Sequence, residues 1–63
     1  MGMIRHEVIE IMINTVNQYN RNLMAQAKMS DADITKNIDG QYPALQNMFG
    51  LIYDDLENKG VFK

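Results

Sequence analysis

The chain has no cysteine, no tryptophan and a single histidine among its 63 residues. Without cysteine the protein forms no disulfide, and one histidine argues against a zinc site. A chain of this length buries only about 60% of its unfolded surface, so small folds of this kind usually rely on a disulfide, a metal or association with another chain. We therefore predict no metal and no cofactor, and we expect association to stabilise the fold.

Glycine and proline are scarce as well, and neither occurs in residues 3–29. Strands would need turn residues roughly every ten positions, so this absence predicts one long helix at about residues 3–28. Its apolar residues recur at steps of three and four, which is the pattern of an amphipathic helix. Glu10 and Asn17 belong to the polar side. The predicted packing stripe is Ile9, Met12, Val16, Tyr19 and Leu23.

The middle of the chain carries capping and turn signals. Ser30, with Asp33 three positions later, is typical of a helix N-cap. Asp39 and Gly40 are typical of a helix end or a turn. The segment at about 30–40 is therefore predicted to be a connector, either a short helix or an ordered loop.

A further helix is predicted at about residues 42–59. Pro43 suits the first turn of a helix, where a missing N–H is harmless, and Gly60 suits the left-handed residue that closes one. Gly50, in the middle, indicates either the close approach of another helix or simple tolerance. The predicted apolar stripe is Leu45, Met48, Phe49, Ile52 and Leu56.

These elements predict one all-α domain over residues 1–63. Its parts are a long helix, a short connecting helical turn and a returning helix, packed as a helical hairpin. A short connection favours an antiparallel pair. We expect two such hairpins to form a homodimer with a four-helix arrangement about a two-fold axis.

The dimer is expected because apolar residues are in surplus near the start of the chain. Once the predicted stripe is packed, four large aliphatic residues remain: Ile4, Val8, Ile11 and Ile13. Leaving each of them exposed forgoes about 1.5–3 kcal/mol, and contiguous exposed patches usually mark partner surfaces. The alternative is a compact monomer in which Ile34 and Ile38 cover the surplus. The predicted partner or dimer interface consists of Ile4, Val8, Ile11, Met12 and Tyr19.

Charge and hydropathy disfavour several classes of function. The net charge is −2 and no basic patch is evident, which argues against nucleic-acid binding. No apolar run approaches the roughly 20 residues of a membrane span, and charged residues interrupt the early apolar ones, so we predict neither a membrane span nor a secretory signal. His6 and Glu10 have no nucleophile beside them, so we predict no catalytic residues and no enzyme. The expected location is the cytoplasm.

The opening "MIRHEVIEIMINTVNQYNRN" and the ending "FGLIYDDLENKG" resemble a family of phage proteins. These are the small accessory proteins encoded between the exonuclease and excisionase genes of lambdoid temperate bacteriophages. Members of that group are early, non-essential helical proteins from a region associated with perturbing the host and with the lysis–lysogeny decision. The resemblance implies the host cytoplasm as the setting and a host protein as the partner, and it brings no catalytic residues with it.

The function expected from the sequence is therefore that of a small non-enzymatic protein that binds a host protein. Such binding would modulate host physiology or the lysis–lysogeny decision. The alternative is a small helical DNA-binding or transcription-regulating domain, with its recognition helix at about residues 31–38 or 43–58. Both segments are acidic or neutral, which counts against this alternative.

Overall fold

The computed structural model describes residues 4–61, which form two α-helices, α1 (Arg5–Gln26) and α2 (Asp31–Asn58), and no strand. Side-chain contacts join Arg5 to Asp54 and Asn20 to Gln41, so the helices are antiparallel. The predicted all-α helical hairpin is confirmed. The predicted start of the first helix at residue 3 lies outside the described residues.

The second half of the chain is one continuous helix of 28 residues. A helix of that length measures about 42 Å, and the longest dimension of the molecule is 43 Å. The predicted break between a connector at about 30–40 and a helix at about 42–59 is therefore wrong. Pro43 lies in the interior of α2 rather than in its first turn, and Gly40 is helical.

The helix continues through Gly40 and Pro43 because side chains before and after them are buried on the same face of α2. Only an uninterrupted helix places three such side chains on one face. Ile34, Ile38 and Leu45 are spaced by four and seven residues, and all three are buried. Burying them stabilises the fold by about 1.5–3 kcal/mol each. Glycine and proline in a helix interior cost about 1 and 3 kcal/mol, so the packing outweighs the local preferences. Both Gly40 and Pro43 are exposed.

Both helices end in the same hydrogen-bonding pattern, a Schellman motif. At the end of α2, Gly60 has a φ of 78° and the Val61 N–H donates to the Leu56 carbonyl at 3.2 Å. The left-handed conformation predicted for Gly60 is thus confirmed. At the end of α1, Lys28 has a φ of 62° and the Met29 N–H donates to the Met24 carbonyl at 3.1 Å. The first helix therefore stops at Gln26, two residues before its predicted end.

We expect Lys28→Gly to stabilise the protein by about 0.5–1 kcal/mol, because a left-handed φ is costly for a residue with a Cβ and is free of strain for glycine. The measurement is the urea midpoint at constant protein concentration. Lys59→Gly is the matched control, since Lys59 follows α2 with a φ of −89°. If Lys28→Gly lowers the midpoint as Lys59→Gly does, the left-handed assignment is wrong.

The α1 side of the core differs from the predicted stripe. Ile9 and Ile13 are buried together with Leu45 and Tyr53 of α2. Ile13 has no exposed surface at all, although the pattern left it outside the stripe. Tyr19, which the stripe included, is 66% exposed, and Leu23 is exposed as well.

The polar residues of α1 lie differently too. Glu10 and Asn17 are half-buried beside α2 rather than on the far side of the helix, and the Oδ1 atom of Asn17 is buried. Val16 packs against the buried cluster as predicted. The contact face of α1 is therefore rotated toward Glu10 and Asn17 relative to the predicted stripe, because Ile13 supplies its centre.

The contact face of α2 is also rotated relative to its predicted stripe, toward Tyr53 and away from Met48 and Ile52. Leu45 and Tyr53 are buried, and Phe49 packs against them. Met48 and Ile52, which the predicted stripe placed in the core, are exposed. Tyr53, rather than the predicted Ile52, therefore lies in the core of the packing.

The hairpin is elongated and has a single layer of packing. Its radius of gyration is 14.1 Å, whereas a compact domain of this length has roughly 10–11 Å. Its accessible surface is 4928 Å², against roughly 4,200 Å² for a compact protein of this mass. Ile34 and Ile38 are buried along α2, but Ile4 and Ile11 remain exposed. The cover over Ile4 and Ile11 that the monomeric alternative predicted is therefore absent from residues 4–61.

Candidate interaction surface

One side of the hairpin carries two of the polar contacts between the helices, Arg5 with Asp54 and Tyr42 with Glu10. The Arg5 guanidinium donates to both carboxylate oxygens of Asp54, at 2.9 and 3.3 Å. It also lies 5.8 Å from the centre of the Tyr53 ring. The hydrogen bond to Asp54 raises the pKa of Arg5 above its ordinary value. The antiparallel pairing thus brings together a cation at a helix N-terminus and an anion near a helix C-terminus, each of which opposes its own helix dipole.

Gly50 makes room for this ion pair. A Cβ atom at position 50 would lie 2.9 Å from Nη2 of Arg5. The sequence left open whether another helix approaches Gly50 closely or the glycine is merely tolerated. The structure shows a side chain of the other helix in that space.

A second polar contact joins Tyr42 to Glu10. The tyrosine hydroxyl donates to the Glu10 carboxylate, and the contact is partly buried. This hydrogen bond, followed by desolvation and by the negative charge of Glu10, raises the pKa of Tyr42 above its ordinary value of 10.0. A tyrosinate at this position would lose the hydrogen bond and repel the carboxylate.

We expect this contact to stabilise the hairpin at neutral pH and to be lost in alkali. The folded-state pKa of Tyr42 lies above the unfolded value, so the stabilisation is complete below pH 10.0 and falls as the pH rises through the folded-state pKa. Wild-type protein should therefore melt above Tyr42→Phe at pH 8, and the difference should shrink toward pH 11. Thermal melts across this range measure it.

The control for the tyrosine experiment is Tyr19→Phe, because Tyr19 is 66% exposed. Any difference between its melting temperature and that of wild type should stay the same from pH 8 to pH 11. A difference between wild type and Tyr42→Phe that stays constant from pH 8 to pH 11 would contradict the role of the phenolic proton.

The opposite side of the hairpin is apolar. On both helices, apolar residues that are exposed or half-buried lie one position before residues that contact the other helix. On α1 these are Val8, Met12, Tyr19 and Leu23, and on α2 they are Met48 and Ile52. Ile4 extends the row at the start of α1 and is 61% exposed. We call these seven residues the apolar face. Ile11 lies two positions before Ile13, on the outer side of α1.

The two helices contribute to the same face because of their geometry. Successive residues of an α-helix are rotated by about 100°. Two antiparallel helices rotate in opposite senses when viewed from one end. A residue one position before the contact line therefore lies on the same side of the pair in both helices, so Met48 and Ile52 lie on the side of Val8 and Met12.

Polar side chains beside the apolar face make hydrogen bonds within the hairpin. The Thr15 hydroxyl donates to the Ile11 carbonyl at 2.8 Å. The Asn37 amide donates to the Asp33 carbonyl at 3.3 Å. Gln41 accepts a hydrogen bond from Asn20 at 3.4 Å. Each of these side chains therefore has one hydrogen bond within the hairpin when a partner covers it.

Of the predicted interface residues, Ile4, Val8, Met12 and Tyr19 belong to the apolar face, and Ile11 lies on the outer side of α1. Ile4, Ile11 and Tyr19 are exposed, and Val8 and Met12 are half-buried. Their use by a partner stays a prediction. Sequence reasoning missed the contribution of α2. The signal was present, because Met48 and Ile52 directly precede aromatic residues that could pack in their place.

Other kinds of site are poorly represented in residues 4–61. Open grooves lie there beside Arg5 and Asp54 and beside Met29 and Asp33. Within this range no three His, Asp or Glu side chains come together to hold a metal ion. Neither described helix has a sufficiently long apolar stretch to cross a membrane.

The apolar face is therefore the feature of the described hairpin that most needs a functional explanation. No protein-family model, no curated protein and no solved structure matches the chain.

Proposed function

We propose that this chain is a small non-enzymatic protein that acts by binding another protein through its apolar face. The observation that carries the proposal is the exposure of large apolar side chains on one side of the hairpin. Tyr19 is 66% exposed, Met48 49% and Ile52 42%. Covering apolar area contributes about 25 cal/mol per Å², and exposed patches of this kind usually mark protein contacts.

The resemblance to lambdoid phage accessory proteins supports a host protein as the partner. In that case the setting is the host cytoplasm, and the consequence of binding is a change in host physiology or in the lysis–lysogeny decision. The form of the apolar face supports a helical partner, since a helix can lie along the groove between α1 and α2 and contact both rows of side chains.

DNA binding is the less favoured alternative. It would need a separate recognition helix, whereas residues 31–58 form one helix packed along α1. Of the described cations, Arg5 is paired with Asp54 and Lys59 follows the end of α2. The other three, Arg21, Lys28 and Lys36, lie toward the connection between the helices, where Asp31 and Asp33 also lie, and they form no stripe along a helix. A basic stripe is the usual electrostatic footprint of a DNA-binding domain.

Capture from a bacterial lysate with three immobilised chains tests the proposal. Wild type and Leu51→Glu should retain the same protein, and Tyr19→Glu should lose it. Both substitutions introduce a carboxylate at a strongly exposed position, but Leu51 lies on the outer side of α2, away from the apolar face. The captured protein is then purified and its Kd for each variant is measured.

A Kd raised at least tenfold by Tyr19→Glu alone is the expected result. Equal binding by all three chains would contradict the use of the apolar face. A salt-dependent mobility shift with duplex DNA, in the absence of any captured protein, would favour the alternative instead.

A further inference from the structure

The apolar face carries no charge over most of its length. Along α1, the row of residues from Val8 to Leu23 on this side contains no Asp, Glu, Lys or Arg. Along α2, the nearest charged residues on this side are Asp33 and Asp55, at the two ends. The side chains of Arg5 and Glu10 make their contacts on the opposite side of the hairpin.

Two uncharged faces of this kind can pack against each other without bringing like charges together. When two copies meet face to face, the acidic residues of each copy stay on the outside, so the net charge of −2 per chain opposes pairing only weakly.

The area available also suits a pair of copies. Five large apolar residues of the face are between 42% and 66% exposed. If a fully exposed large side chain has on the order of 200 Å², they leave roughly 500 Å² per copy. Two copies would then bury roughly 1,000 Å², which is the lower limit of a specific interface. Because one hairpin has only a single layer of packing, burial of this area in a dimer would add to its stability.

We propose that a second copy of this chain covers the apolar face until a protein partner replaces it. The inference rests on the proposed function, since both use the same face. The two copies form a four-helix arrangement, and binding of the partner competes with self-association. The amount of free face therefore depends on the concentration of the protein itself.

The distribution of side chains selects an orientation for the pair. Met48 and Ile52 lie level with the first turns of α1, since Asp54 contacts Arg5. Opposite Tyr19 and Leu23, the α2 row contains Asn37 and Gln41 instead. A two-fold axis parallel to the helices brings the two apolar halves together, with α1 of each copy over α2 of the other.

Sedimentation equilibrium and thermal melting of the full chain test this proposal. Wild type should have twice the 7.3 kDa mass of the chain. Its Tm should rise by about 5 °C for each tenfold increase in concentration, as expected for a dimer of this size. Met48→Glu should sediment as a monomer, while Leu51→Glu should remain a dimer. Both positions are exposed and lie three residues apart on α2.

Several results would overturn the proposal. A wild-type chain with monomeric mass and a Tm that does not change over about a hundredfold range of concentration excludes the second copy. A dimer that survives Met48→Glu, or one that Leu51→Glu also abolishes, excludes this face as its interface. If Met48→Glu fails to fold, the concentration dependence of wild-type melting still decides. If the wild-type chain is monomeric but Tyr19→Glu still abolishes capture of the partner, the second copy is excluded and the proposed function is retained.

Discussion

Ile13→Ala is expected to remove most of the folding stability of this chain. Ile13 has no exposed surface and lies in the cluster with Ile9, Leu45 and Tyr53. Truncating a buried isoleucine to alanine costs about 2–5 kcal/mol, because the lost burial is accompanied by a cavity. A domain of this length has roughly 3–9 kcal/mol in total. Urea unfolding followed by circular dichroism, at one protein concentration, measures the loss.

The control is Ile11→Ala, the same change two positions away on a side chain that is 52% exposed. Its effect on the hairpin itself should stay below about 1 kcal/mol. The experiment also tests the orientation of α1, since the sequence pattern placed both isoleucines outside the packing stripe. Equal losses for the two variants would show that Ile13 is not at the centre of the core.

Pro43→Ala is expected to have a large effect of the opposite sign. Proline inside a helix donates no hydrogen bond to the carbonyl four residues earlier, here Asp39, and its ring clashes with that carbonyl. Pro43 is exposed, so alanine removes little packing. We expect a gain of about 1–3 kcal/mol, less than the full propensity difference because proline also restricts the unfolded chain. The urea midpoint and the helical signal should both rise.

The outcome of Pro43→Ala separates the continuous helix from the two-helix prediction. If α2 began near Tyr42, proline would occupy the first turn, where it is well tolerated, and alanine would change little or lower the stability. Asn47→Ala, an exposed change one turn later, should shift stability by only a few tenths of a kcal/mol. A Pro43→Ala variant no more stable than wild type would therefore restore the predicted break.

The helix ends illustrate how far local chemistry determines structure. The Ser30 hydroxyl accepts a hydrogen bond from the Asp33 N–H at 3.2 Å, so the predicted N-cap is confirmed. Gly60 closes α2 as predicted. Capping involves only residues within one turn, which is why the sequence reveals it. Lys28 was not recognised as a closing residue because a left-handed lysine has no residue-type signal.

The orientation of the helices about their own axes was harder to predict. Ile9, Met12, Ile13 and Val16 are all apolar, so more than one stripe at steps of three and four runs through α1. Choosing among them requires the facing helix. In the structure Tyr53 and Leu45 pack with Ile13, which leaves other apolar residues of both helices on the apolar face.

The sequence by itself determined the all-α hairpin, the N-cap of its second helix, the glycine closure and the presence of more apolar residues than one packing layer needs. These properties depend on composition and on contacts within a turn. Only the tertiary structure decided that Gly40 and Pro43 lie inside a helix and that both helices share an apolar face. The reason is that burial of Ile34, Ile38 and Leu45 against α1 outweighs local propensity, and that gain exists only once the two helices are in contact.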